Sequence, residues 1–287
     1  MLWLPFSFLN ALFESFANVF GKRGAQRVNV LSTAWASRFF SLFILIPLLV
    51  FTKSWQNVNT TFWIALFSTG SLNTMTSLLF TKAIKDSPLS LTLPIITFTP
   101  AFLLITSPLI LNEVPKILGV VGILLIVLGS YILNLNKRII GPLEPLLGIV
   151  REKGSRYMLI VAFIWSITSN IEKIGVINSN PLLFSLAANM TILFFLTIVL
   201  QIRSVSISNI LSKYKVFAPI GIFSGLSSVF QLTAISMTLV PNAIAVKRTS
   251  ILFGVIWGKL FFKETNIKER MVGAVIMVLG VILITLS

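Results

Sequence analysis

The sequence predicts an all-α, polytopic membrane protein with ten transmembrane helices arranged as two inverted five-helix repeats. Three observations carry this. First, the 287 residues are 56% hydrophobic and only 11% charged, with a mean hydropathy of +0.96. Soluble domains carry about a quarter charged residues, so too little polar surface is left to coat a globule in water. Second, the charges fall in short clusters between apolar runs close to the ~20 residues that cross a bilayer as a helix. Third, the chain matches itself at one offset, 151 residues.

The composition also excludes chemistry. Lys and Arg number 23 against 8 Asp and Glu, a net charge of +15, and His and Cys are absent. No Cys means no disulfide framework, thiolate zinc site or cysteine nucleophile. No His removes the commonest general base and the Ser-His-Asp arrangement. Asp86 is the single Asp, so no Asp-rich magnesium motif exists. No cofactor is expected. The charge alone fits nucleic acid, but the apolar excess favours a membrane, and no nucleic-acid partner is expected.

The predicted spans are 2–20, 30–52, 61–81, 88–111, 115–135, 157–176, 181–202, 216–237, 241–262 and 271–286. The first is the least apolar, because Asn10, Glu14 and Asn18 lie inside it. It lacks a basic leader and a small-x-small cleavage site, so it reads as a retained helix, not a signal peptide. Asp86-Ser-Pro88, Asn112-Glu-Val-Pro115, Asn180-Pro181 and Val240-Pro241 each place Pro in a first turn, where its missing N–H costs nothing. The fourth span holds Pro94 and Pro100, each of which removes an internal backbone hydrogen bond. They are the candidate helix breaks, with Thr92, Thr97 and Thr99 near enough to satisfy the freed carbonyls or offer them to a ligand. The one long polar connection gives the division 1–138 for the first repeat, 139–156 for the linker and 157–287 for the second repeat.

In the 151-residue register Lys22 meets Lys173, Asn29 meets Asn180, Gly70 meets Gly221, Glu113 meets Glu264, Gly122 meets Gly273 and Gly129 meets Gly280. About two dozen identities accrue over some 136 pairs without a gap. Each copy has an odd number of helices, so the second enters the bilayer from the opposite side. Inverted repeats of this kind place a substrate site near the midplane between halves and supply two nearly equal states, one open to each side.

The segment from Asn10 to Gly24, ending Lys22-Arg-Gly24, resembles the opening helix of EamA-like members of the ten-helix drug/metabolite transporter superfamily. Pro100, thirteen residues before Glu113, followed by the Gly119 and Gly122 helix, resembles the end of an EamA repeat. Lys247 to Phe253, then Lys263-Glu264 to Gly280, is similar to the same element in the second half. The resemblance spans Leu9 to Leu286 and implies export or exchange of a small polar metabolite. One departure is Ile251, which stands where the second half would repeat Pro100. The expected helix break is therefore confined to the first half.

Charges at bilayer depth are costly, so they mark candidate sites. Lys247 and Arg248 lie six and seven residues into the ninth span, about 10 Å along its axis at 1.5 Å per residue. They bind an anionic substrate group, or they snorkel or tie helices together. The pair is also similar to one in a late helix of the plastid phosphate translocators. Arg38 completes a cationic cavity or sits at the interface beside Trp35 as a belt residue. Lys259 reads as a snorkelling anchor. Glu14 is the candidate proton carrier, as in the small multidrug transporters that it resembles, or an ion-pair partner of Arg38, Lys247 or Arg248. Glu172 reads as interfacial, and Glu113 and Glu264 as caps of the helices that follow them. Asn73, Thr97, Trp165, Asn189 and Gln231 complete the substrate-binding candidates, and Thr74, Ser166 and Asn170 are further polar residues of the spans. Contacts between helices explain such residues equally well.

Connections after odd-numbered spans hold 16 Lys and Arg, and connections after even-numbered spans hold three. The positive-inside rule then puts both termini outside, whereas the resemblance implies termini inside. The expected function is secondary transport of a small polar metabolite, anionic or zwitterionic, by alternating access in the cell membrane. The partners are that substrate, membrane lipid and a proton or counter-substrate. The alternatives are proton-coupled efflux of cationic or apolar drugs with Glu14 central, an intramembrane Ser–Lys enzyme, and a non-transporting scaffold.

Overall fold

A computed structural model describes residues 2–25, 29–87, 89–134, 143–262 and 267–287. Among them the chain is helical without strands. The helices are α1 (Trp3–Ala25), α2 (Val30–Thr52), α3 (Thr60–Asp86), α4 (Leu89–Ile96), α5 (Thr99–Leu111), α6 (Ile117–Asn134), α7 (Glu144–Arg151), α8 (Lys153–Ile177), α9 (Pro181–Ile202), α10 (Ile207–Leu211), α11 (Tyr214–Met237), α12 (Val240–Lys247), α13 (Ser250–Phe262) and α14 (Ile267–Thr285). With α4–α5 and α12–α13 each taken as one broken span, and the short α7 and α10 set apart, the described residues form ten long segments. Among the described residues five stretches are long and apolar enough to cross a membrane on their own: Val30–Thr52, Thr92–Leu111, Lys153–Ile177, Pro181–Ile202 and Tyr214–Met237.

Local chemistry sets the helix starts. Asn29 caps α2, its Oδ1 accepting from Leu31 N at 3.0 Å. Its repeat mate Asn180 caps α9, accepting from Leu183 N at 2.9 Å, with Pro181 as the first helical residue. An Asn side chain satisfies an N–H that a helix start leaves unpaired, and this matters most where water is scarce.

The packing repeats with the sequence. α1 lies on α11 as α8 lies on α3, and α2 lies on α11 as α9 lies on α3. Phe13 and Phe16 of α1 stack on Phe230 and Phe223 of α11. α6 packs along α14 through four glycines. A Cβ at Gly122 would sit 2.6 Å from Gly280 O, and one at Gly280 the same distance from Gly122 O. Gly129 and Gly273 repeat the reciprocal contact at 2.6 and 2.7 Å. Backbones this close tolerate no side chain. Many large side chains on the outside are apolar, among them Phe43, Ile64, Leu109 and Phe194, as a lipid-facing surface requires.

One expectation is corrected. The helix break occurs in both halves, α4–α5 at Thr97-Phe98 and α12–α13 at Arg248-Thr249, 151 residues apart. The second break needs no proline at the Pro100 position. Short turns replace the regular ladder there, with Arg248 N donating to Ala245 O and Thr249 N to Val246 O, both at 2.9 Å. Threonine hydroxyls add bonds to carbonyls at both breaks. Thr97 Oγ1 donates to Pro94 O at 2.6 Å, Thr99 Oγ1 to Ile96 O at 2.8 Å and Thr249 Oγ1 to Val246 O at 2.7 Å.

Candidate functional site

A cavity of about 300 Å³ lies between the halves, walled by α1, α2, α3, α8, α9, α11 and the two broken segments. The local reason is periodicity. On α8 Trp165, Thr168, Ser169 and Glu172 line it, and on α11 Ser224, Ser227, Ser228 and Gln231 do so. Both sets follow i, i+3, i+4, i+7 spacing, one face of a helix. Each helix thus turns a polar stripe inward and leaves its apolar faces to packing and lipid.

Five charged side chains line the cavity: Glu14, Arg38, Glu172, Lys247 and Arg248. Lys247 pairs with Glu14, Nζ to Oε2 at 3.2 Å, and donates to Gln231 Oε1 at 2.6 Å. Gln231 Nε2 in turn donates to Glu172 Oε2 at 3.1 Å. This chain of contacts links α1, α12, α11 and α8 across the space. Arg38 Nη1 donates to Asn189 Oδ1 at 3.0 Å, and these two residues are repeat mates, so their bond lies across the pseudo-two-fold axis. Glu172 feels the charges of both Lys247 and Arg38, and Arg248 that of Glu14. The Arg248 Nε is buried and has no hydrogen-bond partner among the described residues.

The break between α12 and α13 positions the basic pair. Lys247 ends α12, and Arg248 occupies the turn where the ladder stops. Asn73, Trp165, Asn189, Gln231 and Glu14 all reach the cavity. Glu14 takes the ion-pair arrangement with Lys247. Thr97 does not line the cavity; its hydroxyl turns to Pro94 O, while Thr99 faces the space. Pro94 lies inside α4 and Pro100 opens α5, both at the break.

Other residues are placed differently from expectation. Glu172 is not interfacial but part of the cavity wall, and its stripe with Trp165, Thr168 and Ser169 is the signal in the sequence that identifies it. Trp35 is buried and donates from Nε1 to Thr197 Oγ1 at 2.8 Å, so it is no belt residue. Asn170 ties α8 to α5 through Thr106 and Ser107. Glu113 accepts from Lys173 Nζ and, at 2.7 Å, from Val240 N, so it serves the start of α12 and not that of α6. Glu264, residues 139–142 of the linker and the Lys259 side chain lie outside what the structure describes.

Comparison with known proteins bears on the whole chain. The model of a family described as the EamA-like transporter family matches residues 1–135 and again 152–286, two halves offset by the repeat distance. No curated protein matches. Among solved structures 27 chains match. One, described only as the crystal structure of a protein, superposes with a TM-score of 0.80 over 99% of this chain and 97% of its own, at 13% identity. That likeness concerns the fold.

Proposed function

This chain belongs to the EamA-like transporter family, membrane transporters of the drug/metabolite superfamily, and from that premise we propose that it carries a small polar metabolite with a negative charge. The observation that carries the reading is the charge balance of the central cavity. Three basic groups face two carboxylates, and the Arg248 guanidinium keeps an unused buried donor. A buried donor left without a hydrogen-bond partner is costly, and an anionic group on the substrate supplies one. A planar guanidinium suits carboxylate, sulfonate or phosphate. A zwitterion fits the same site, with its cationic end near Glu172.

Movement follows from the pseudo-symmetry. Breaks at equivalent points in α4–α5 and α12–α13 let the two halves exchange conformations around a site on the axis. Each exchange turns an opening toward one side into an opening toward the other.

A stabilisation screen of purified protein tests the substrate class. Organic acids or zwitterions raise the melting temperature, and the shift disappears in Arg248→Ala. Stabilisation by quaternary amines alone contradicts the reading. It favours instead proton-coupled efflux of cationic or apolar compounds, for which the two cavity carboxylates, Glu14 and Glu172, are the supporting observation. Transport by Glu14→Gln that keeps its full pH dependence excludes Glu14 as the proton carrier. We place the protein in the cell membrane and expect a proton or counter-substrate to drive net movement.

A further inference from the structure

The repeat register allows each cavity residue to be compared with its mate 151 positions away. A symmetric transporter has matching corners on either side of its axis, so departures show where the chain has specialised. At one corner Lys247 holds Glu14 at 3.2 Å and Gln231 at 2.6 Å. The mates of Lys247, Glu14 and Gln231 are Ile96, Trp165 and Phe80. These three pack in one apolar cluster, and the Phe80 and Trp165 rings stack with centroids 6.3 Å apart and planes at 29°. The same backbone frame thus carries an ammonium, a carboxylate and an amide on one side. On the other it carries a sec-butyl group, an indole and a phenyl ring.

Trp165 is the member of the apolar corner that reaches the cavity wall, and it is only partly buried. A partly buried indole packed beside a second ring offers apolar aromatic surface to whatever fills the space. The Arg38–Asn189 bond, lying across the axis, separates the two corners. The cavity of about 300 Å³ is worth about ten waters at ~30 Å³ each. That is room for one ring system with a short charged arm.

We propose that this corner is a ring-binding subsite. The substrate is an anion that also carries a flat apolar ring, its charged group at Arg248 and its ring against Trp165. The inference rests on the anion-transport reading and adds the substrate's second chemical feature. A purely polar anion leaves the indole face wet, whereas a planar ring buries it and stacks.

The test uses two permanently charged probes of one carbon skeleton, 2-phenylethanesulfonate and 2-cyclohexylethanesulfonate, taken up by proteoliposomes containing the full chain. The wild type favours the phenyl probe about fivefold, the range that aromatic pairing supplies. Trp165→Ala lowers uptake of both probes, that of the phenyl probe by about fivefold more, and so brings the ratio close to one. Trp165→Phe retains most of the preference. Equal uptake of the two probes by the wild type overturns the inference and leaves the anion reading standing. So does a wild-type preference for the phenyl probe that Trp165→Ala leaves unchanged. Uptake of neither sulfonate overturns the anion reading itself, and the subsite with it.

Discussion

Glu172 and Lys173 are neighbours in sequence with separate tasks, because successive helical residues point about 100° apart. Glu172 turns into the cavity toward Gln231. Lys173 turns to the helix end, where it meets Glu113 and donates to Thr238 O at 2.7 Å. Both side chains of the Lys173–Glu113 pair are nearly buried. Removing one partner from such a pair costs about 3–5 kcal/mol. Glu113→Gln is therefore expected to lower the melting temperature of the purified protein. Glu113→Gln combined with Lys173→Gln is expected to lower it by less than the sum of the single changes. Strict additivity contradicts the pairing. Legibility also differed at this scale. Lys247, Arg248 and Glu14 stood out because each is a charge deep in an apolar run. Glu172 did not, since it precedes Lys173 near a predicted helix end, where both pass for interfacial residues. Only its register with Trp165, Thr168 and Ser169 separates the two.

At the scale of elements, the two breaks show that a proline marks an interruption without being needed for one. The α12–α13 break forms around Arg248 and Thr249 with no proline at the position equivalent to Pro100. Pro100→Ala is therefore expected to cost less than about 1 kcal/mol and to leave transport intact. Thr99 Oγ1 still covers Ile96 O. A collapse of activity in Pro100→Ala contradicts this account. The break in the second half was not legible because nothing in the local composition replaces proline as a signal. Most helix ends were, since Asn29, Asn180 and Pro181 are chemical markers with fixed positions. The α6–α14 contact makes a sharper prediction. A Cβ at Gly122 meets Gly280 O at 2.6 Å, so Gly122→Val is expected to destabilise by about 1–3 kcal/mol or more through overpacking. Thermal unfolding in detergent measures it, and an unchanged midpoint contradicts the close approach.

The molecule as a whole is organised by the 151-residue repeat. Helix boundaries, caps, glycine contacts and the Arg38–Asn189 bond all obey it. Its polar stripes converge on the central cavity, and its ten long segments, an even number, bring the chain back to the face from which it started. Most of the +15 charge belongs to connections on the face opposite the two termini. The charge rule therefore predicts an outside C-terminus. A reporter fused at Ser287 measures this, and a cytoplasmic signal contradicts it. A shared fold at 13% identity shows why the architecture was legible and the cargo was not. Burial and periodicity repeat over hundreds of residues, whereas substrate choice rests on a handful of cavity side chains. The most direct test of the central claim is uptake of an organic anion into proteoliposomes by wild type, Lys247→Ala and Arg248→Ala at equal reconstitution. The account predicts active wild type and at least about a tenfold loss in each variant, as expected when a charged partner is removed. Unchanged uptake by both variants would contradict it.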